Sequence, residues 1–338
     1  MSGERSLSVR IRFFGPLFRS ARVLPLPVSC RTGPGRATPG GIPVFLNRAA
    51  RVPAPTFGRV YCPWSGDAAS ASEAGLMAII TLMSDFGTRD HYVACMKGVI
   101  LQIHPKAAIV DVTHEIEPHG IIEAAFVLRQ VWAWFPPESV HVVVVDPGVG
   151  TSRRILVGRY SERFVVAPDN GLITLVHHDA RLEELRVVEN RRYFAPALST
   201  TFHGRDVMAP VAAHIARGGV RLHELGPTTD HLEILDLPRP KTVDASVLTG
   251  QVLYVDRFGN LITNISAIDI NSFIHRRASL TVYLGDRAIG PICATYGEVP
   301  PGMPVAVIGS TQLLEIAINR GSAARTFGAD VGAPVALR

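Results

Sequence analysis

The run VHVVVVDPGVGTSRRI, from Val140 to Ile155, constrains the fold more than any other part of the chain. Four consecutive valines, Val142 to Val145, read as a strand buried on both faces, the pattern of a central strand in a parallel sheet. Asp146, Pro147 and two glycines then end it, since none of them extends a strand well. Ligands of open α/β sheets bind outside the carboxyl ends of the strands. Here that edge carries the Asp146 carboxylate, with the guanidinium groups of Arg153 and Arg154 in the same loop. The glycines let backbone N–H groups approach a small ligand. A nucleotide-phosphate loop would need a helix next, whereas ILVGRY (Ile155 to Tyr160) is strand-like. The loop therefore reads as a site for a small anion or a developing negative charge.

The chain around this strand alternates strand and helix. AIITLM (Ala78 to Met83) leads through SDFGTRD to a helix over Tyr92 to Ile103, closed by Pro105. AAIVDVT (Ala107 to Thr113) is a second strand, and Gly120 to Phe135 an amphipathic helix stopped by two prolines. After the central strand come ILVGRY and RFVVAP, the turn DNG, and a short helix or strand at Leu172 to Val176. A helix over Val207 to Arg217 ends at Gly218 and Gly219. This predicts an α/β domain over 77–238 with a mostly parallel sheet. LDLPRPKTVD (Leu235 to Asp244) has linker composition. Short strands separated by turns follow, predicting a smaller antiparallel β-barrel or sandwich over 245–338, with LLEIAINRGSA (Leu313 to Ala323) at its edge.

Charge divides the chain unevenly. Residues 1–76 hold ten arginines, no lysine and three acids, a balance of +7, while the remaining 262 residues carry 24 basic and 26 acidic side chains, a balance of −2. The globular part thus lacks the basic face that a nucleic-acid partner requires. Residues 1–76 show no sustained period and cannot build a core alone. They read as a transit-type peptide, a disordered arm, or sequence upstream of a true start at Met77, and the strand that opens directly after Met77 favours the last. Cys30, Cys62, Cys95 and Cys293 lack CxxC spacing, so a reduced, cytoplasmic protein without structural zinc is expected. No apolar run approaches the roughly 18 residues of a membrane span.

Three further clusters bear polar side chains at loop positions. Asp85, in SDFG after the first strand, could accept both hydrogen bonds of a ribose diol or simply cap the next helix. His203, in TFHGRD, sits before a helix, with Asp206 as a candidate N-cap; its weight comes from lying, like Asp146 and Arg153, in a loop facing the sheet's ligand edge. Asp256 and Asn260 share the turn DRFGN, where the amide could read an adenine edge or serve only the turn. Histidines 104, 114, 177, 178, 214, 223, 231 and 275 show no zinc-ligand spacing and read as surface or structural residues.

Taken together, TLMSDFGTRDHYVACMKG, VDVTH, VVVVDPGVGTSRR, APDNG, TFHGRD, DRFGNLITN and GSTQLLEIAINRGSA resemble, in order and spacing, the S-adenosyl-L-methionine (SAM) hydroxide adenosyltransferases, or adenosine-forming SAM hydrolases. These are relatives of the SAM-dependent fluorinase and chlorinase. The resemblance spans Met77 to Arg338. It implies an α/β domain, a C-terminal β-barrel and a homotrimer with active sites between subunits, acting on SAM with no cofactor or metal. It further implies a catalytic set of Asp146, Arg153 and His203, a ribose-binding Asp85, an adenine-binding Asn260, and methionine contacts from Asp256 and Ser310. Ser84 stands where Thr is more usual, and Thr311 and Ile318 stand where the fluorinase has arginines. The rivals are a SAM halogenase and a non-catalytic SAM or adenosine sensor, which would keep Asp85 and Asn260 but not need the set at Asp146.

The chemistry so implied joins a nucleophile to a sulfonium and expels a neutral thioether, so a dry pocket favours it. Water resists, with a bulk pKa of about 15.7. An arginine at ~4 Å and an effective dielectric of ~20 contributes ~4 kcal/mol, or ~3 pKa units. Arg153 alone therefore falls short near neutrality, and a proton acceptor is needed, either Asp146 or His203.

Overall fold

The computed structural model describes residues 79–243, 246–274 and 280–338. The expected extension 1–76 and start at Met77 lie outside them.

The first sheet has six strands: β1 (Ile79–Ser84), β2 (Ala108–Thr113), β3 (Val140–Val144), β4 (Ile155–Tyr160), β5 (Arg163–Pro168) and β6 (Leu182–Val187), in the order β2-β1-β3-β5-β4-β6. The pairings β1–β2, β1–β3 and β3–β5 are parallel, and β4 pairs antiparallel with both β5 and β6. The valine run is central because both faces of β3 are covered. Val140, Val142 and Val144 face a cluster with Met96, Ile100, Met208 and Val211, while Val143 and Val145 face Leu128, Trp132 and Val176. Each such side chain contributes ~1.5–3 kcal/mol when fully buried, which is why the strand tolerates no polar alternation. Its one polar member, His141, is fully buried, with Nδ1 2.8 Å from Thr81 Oγ1 and its ring 4.7 Å from that of Trp132.

Helices α1 (Tyr92–Ile103) and α4 (Ala209–Arg217) cover one face; α2 (Ile121–Trp132) and α3 (Thr174–Asp179) cover the other. The expected start of the last long helix at Val207 is a π-helical turn over Gly204–Met208 that runs into α4, which stops at Gly218 with φ 81°.

The second sheet holds β7 (Lys241–Val243), β8 (Val247–Val255), β9 (Leu261–Ser266), β10 (Val282–Leu284), β11 (Arg287–Gly290), β12 (Ile292–Cys293), β13 (Pro304–Ile308), β14 (Leu313–Ile318) and β15 (Pro334–Leu337). Its path is β11-β10-β15-β8-β9-β14-β13-β12, with β7 on β8, so the sheet curls into a nearly closed barrel around Leu261, Ile265, Leu314, Ile316 and Leu337. Two expectations need correction. The end of the linker stretch joins the sheet as β7. The segment expected at the barrel's edge is interior: β14 lies between β9 and β13 with all six residues buried, because Cys293, Val299, Val305 and Val307 cover Ala317 on its outer side. Two short helices, α5 (Ala267–Ile274) and α6 (Ala323–Phe327), complete this part. Phe126 of α2 meets Tyr254 of β8 at 5.1 Å between ring centroids, and Leu175, Leu253, Ile262 and Leu313 join them.

Candidate active site

At the carboxyl end of β3 the chain turns sharply. Val149 N donates to Asp146 O, and both the amide and the hydroxyl of Thr151 donate to Gly148 O. Gly150 sits at φ 80°, and a Cβ there would lie 2.6 Å from the carbonyl oxygen of Thr200, so only glycine lets this loop meet the one that carries His203. Asn170 donates its side-chain amide to Val145 O, the first carbonyl beyond the strand.

This geometry brings together the three residues that the sequence places at the ligand edge. Arg153 Nε lies 2.8 and 2.9 Å from the two carboxylate oxygens of Asp146, and its Nη2 donates both to Asp146 Oδ2 and, at 2.8 Å, to His203 Nδ1. The Arg153 and Asp146 side chains are only 10% and 6% exposed, so the pair is largely desolvated. His203 precedes the π-helical turn, whose first residue, Gly204, packs so tightly on β3 that a Cβ would sit 3.0 Å from Val144. Burial, then the nearby Arg153 charge, holds the His203 pKa below its ordinary value. Asp206 caps no helix. It accepts Ser199 N at 2.7 Å and pairs with Arg205, closing the loop that delivers His203.

Asp85 stands at the end of β1, partly buried, and one of its oxygens accepts His119 N at 2.9 Å. The capping alternative fails, since α1 starts seven residues later with His91 before it and no side-chain cap. Asp256 and Asn260 are joined in one turn on the barrel. Asp256 Oδ1 accepts the amides of Phe258 and Asn260, and its Oδ2 accepts the Asn260 side-chain N–H at 2.9 Å, which turns the Asn260 amide oxygen away from it. Ser310 is exposed in the tight turn between β13 and β14. Among the described residues, no hydrogen bond, ion pair or ring contact joins the Asp146–Arg153–His203 group to Asp256, Asn260 or Ser310. The candidate residues thus form two groups, one per sheet.

The sequence profile of the SAM hydroxide adenosyltransferase N-terminal domain matches residues 80–226, and that of the C-terminal domain matches 250–336. The chain belongs to this family. An (R)-S-adenosyl-L-methionine hydrolase of Thermus thermophilus is 39% identical over 271 residues, covering 77% of this chain and all of the relative. A fluorinase of an Actinoplanes species is 30% identical over 291 residues, covering 77% of this chain and 97% of its own length. The crystal structure of an uncharacterized conserved protein from Thermotoga maritima matches with a TM-score of 0.71 at 36% identity, covering 76% of this chain and 99% of that one.

Two polar groups of this chain were not singled out from the sequence. Glu315, on β14, is buried and accepts the Tyr296 hydroxyl at 2.5 Å; burial raises its pKa, against the pull of that hydrogen bond, and the Asp256 charge adds to the rise. Gly309 lies against the Glu315 side chain, where a Cβ would come within 2.3 Å of the carboxylate. The second group is built on His114, which is buried against Ser84. Gly309, just before the Ser310 turn, is a sequence signal for the first, whereas the second depends on the pairing of β1 with β2, which no local signal gives.

Proposed function

We propose that this protein hydrolyses SAM to adenosine and L-methionine by attack of water at C5′, and that the Asp146–Arg153–His203 group activates the water. The observation that carries this reading is the contiguous, largely desolvated hydrogen-bonded set at the end of β3, together with relatives at 39% and 34% identity named as SAM hydrolases.

The geometry favours a division of roles. Arginine only donates, so the neutral His203 ring must accept at Nδ1 and carry its proton on Nε2. That tautomer offers water a donor rather than a base. Asp146 keeps lone pairs beyond those facing Arg153, and a carboxylate accepts as many as four hydrogen bonds, so it is the proton acceptor in this reading. Arg153 then acts less as a bare charge on the water than as the clamp that orients both partners, its own charge being matched by Asp146. In the reaction the water oxygen bonds to C5′ as the C5′–S bond breaks, the bonding pair returns to sulfur as a neutral thioether, and the proton goes to Asp146. Asp85 takes the ribose hydroxyls, Asn260 the adenine edge, and Asp256 and Ser310 the methionine end. These sit on separate sheets within one chain, which supports a homotrimer whose sites join the α/β part of one subunit to the barrel of the next. No resident cofactor or metal is assigned, and the proposed setting is the cytoplasm. Among the described residues no helix is long and apolar enough to cross a membrane.

Incubation with SAM, with and without chloride or fluoride, and chromatography of the products tests the reading. Adenosine and methionine support it. A 5′-halo-adenosine makes the protein a halogenase, and intact SAM that binds makes it a sensor.

A further inference from the structure

A second chain of polar side chains runs behind Asp85 and takes no part in the chemistry above. Ser84, the last residue of β1, is fully buried, with its Oγ 2.8 Å from His114 Nδ1, one strand over at the end of β2. The far nitrogen, His114 Nε2, lies 3.1 Å from Asp111 Oδ1, an approach too bent for a hydrogen bond and therefore an electrostatic contact. The other Asp111 oxygen accepts Lys97 Nζ of α1 at 2.6 Å. The four residues resemble a hydrolytic relay of hydroxyl, imidazole and carboxylate. Burial excludes that role, because the Ser84 side chain is fully buried and no substrate reaches its oxygen.

The relay instead frames the turn that carries Asp85. The Ser84 oxygen accepts Phe86 N at 3.4 Å, the His114 carbonyl accepts Gly87 N at 2.6 Å, and the segment after His114 supplies the His119 amide that binds the Asp85 carboxylate. Asp85 is thus held from both flanks by the end of β2. The β1–β2 register slips between Leu82 and Met83, so that Leu82 faces Asp111 and Met83 faces Thr113. That bulge sets His114 level with Ser84, consistent with the use of irregularities to re-aim side chains beside active sites. With Nε2–H toward the Asp111 carboxylate, Nδ1 is the acceptor and the Ser84 hydroxyl donates to it, leaving the Ser84 oxygen for Phe86. That assignment gives the Ser84 hydroxyl a partner for its proton and one for its oxygen, while the His119 amide holds one oxygen of the Asp85 carboxylate.

We propose that Ser84 and His114, set by Asp111 and Lys97, are positioning residues that aim the Asp85 carboxylate at the ribose diol, and so govern selectivity for a 2′,3′-dihydroxylated sugar. This rests on the ribose role given to Asp85 above. The test is calorimetric titration of the full chain with adenosine and with 2′,3′-dideoxyadenosine, which differ only in the two hydroxyls. The wild type should prefer adenosine. Ser84→Ala and His114→Gln should each lower that preference by about 3- to 10-fold, leaving dideoxyadenosine affinity within two-fold, and Ser84→Thr should restore it. A purely structural role would weaken both ligands equally, and that result, or an unchanged preference, overturns the proposal. Should the buried variants fail to fold, Asp111→Asn at the exposed end of the relay decides in the same way: a reduced preference supports the relay, and an unchanged one overturns it. A wild type that binds neither nucleoside instead removes the hydrolase reading on which the proposal stands.

Discussion

Nη2 of Arg153 lies 2.8 Å from Nδ1 of His203, and this contact fixes the protonation of the site. A protonated imidazole would set an N–H against the guanidinium N–H, so His203 cannot gain a proton without breaking the clamp. Its pKa is held below the ordinary value by burial and by the Arg153 charge. Turnover should therefore be level above about pH 6.5 and fall only at lower pH, as His203 becomes charged. His203→Asn, whose amide oxygen can stand in for Nδ1 but does not titrate, should retain part of the activity and lose that acid limb. A pH–kcat profile of both proteins checks this, and a limb that persists in the variant assigns it to another group.

Gly150→Ala tests the loop contact that brings His203 into the site. The added Cβ meets the Thr200 carbonyl at 2.6 Å in a left-handed conformation, so something must shift. A loss of about 1–3 kcal/mol is expected, the usual cost of a non-glycine residue held in such a region. Turnover should fall further than stability, because the displaced segment carries His203. Denaturant unfolding beside steady-state kinetics measures both, and an unchanged unfolding midpoint would count against the contact.

The sequence made the first sheet and its exit legible because a valine run, a Pro-Gly stop and an arginine pair each have one ready structural meaning. Helix α1 and strands β4 and β5 match their expected bounds. What escaped depended on neighbours distant in sequence. The π-helical turn at Gly204 follows from its packing on Val144, and the burial of β14 from a cover supplied by Val305 and Val307. His114 read as structural or surface because nothing local says that β2 lies beside β1. Likewise the Asp85 capping alternative stayed open until the start of α1 was known. The site's residue types were thus readable, and the partners that orient them were not.

His141 links the core to pH. It is sealed in β3 beside Trp132 and Phe135, and burial, aided by Arg163, pulls its pKa down to about 3. Its folded pKa lies below the unfolded value near 6.5, so the unfolded chain binds the proton first. Stability from this group is therefore complete above about pH 6.5 and drains away as pH falls toward about 3, by several kcal/mol in all. His141→Asn, able to keep a hydrogen bond to Thr81, should flatten this part of the acid stability curve even if it lowers stability at pH 7. Urea unfolding between pH 4 and pH 7 provides the comparison, and parallel curves for the two proteins would show that folding does not lower the His141 pKa.

The two carboxylates at the sheet edge should separate by function. Asp146 is committed to Arg153 through both oxygens, whereas Asp85 uses one oxygen for the His119 amide and faces the proposed sugar with the other. Asp146→Asn keeps an acceptor for Arg153 while removing the base, so turnover should fall by ~10²- to 10⁴-fold and SAM affinity should stay within a few-fold. Asp85→Ala removes a charged acceptor from the sugar diol, worth ~1.5–3 kcal/mol or roughly 10- to 150-fold in binding. Its kcat at saturating SAM should change much less. The Asn variant is the sharper probe at 146, since a full deletion would strand the buried Arg153 charge and cost ~3–5 kcal/mol of stability. Titration of each variant with SAM, beside kcat and KM, resolves the two effects. If Asp146→Asn abolished binding while Asp85→Ala left it unchanged, the roles of the two carboxylates would have to be exchanged.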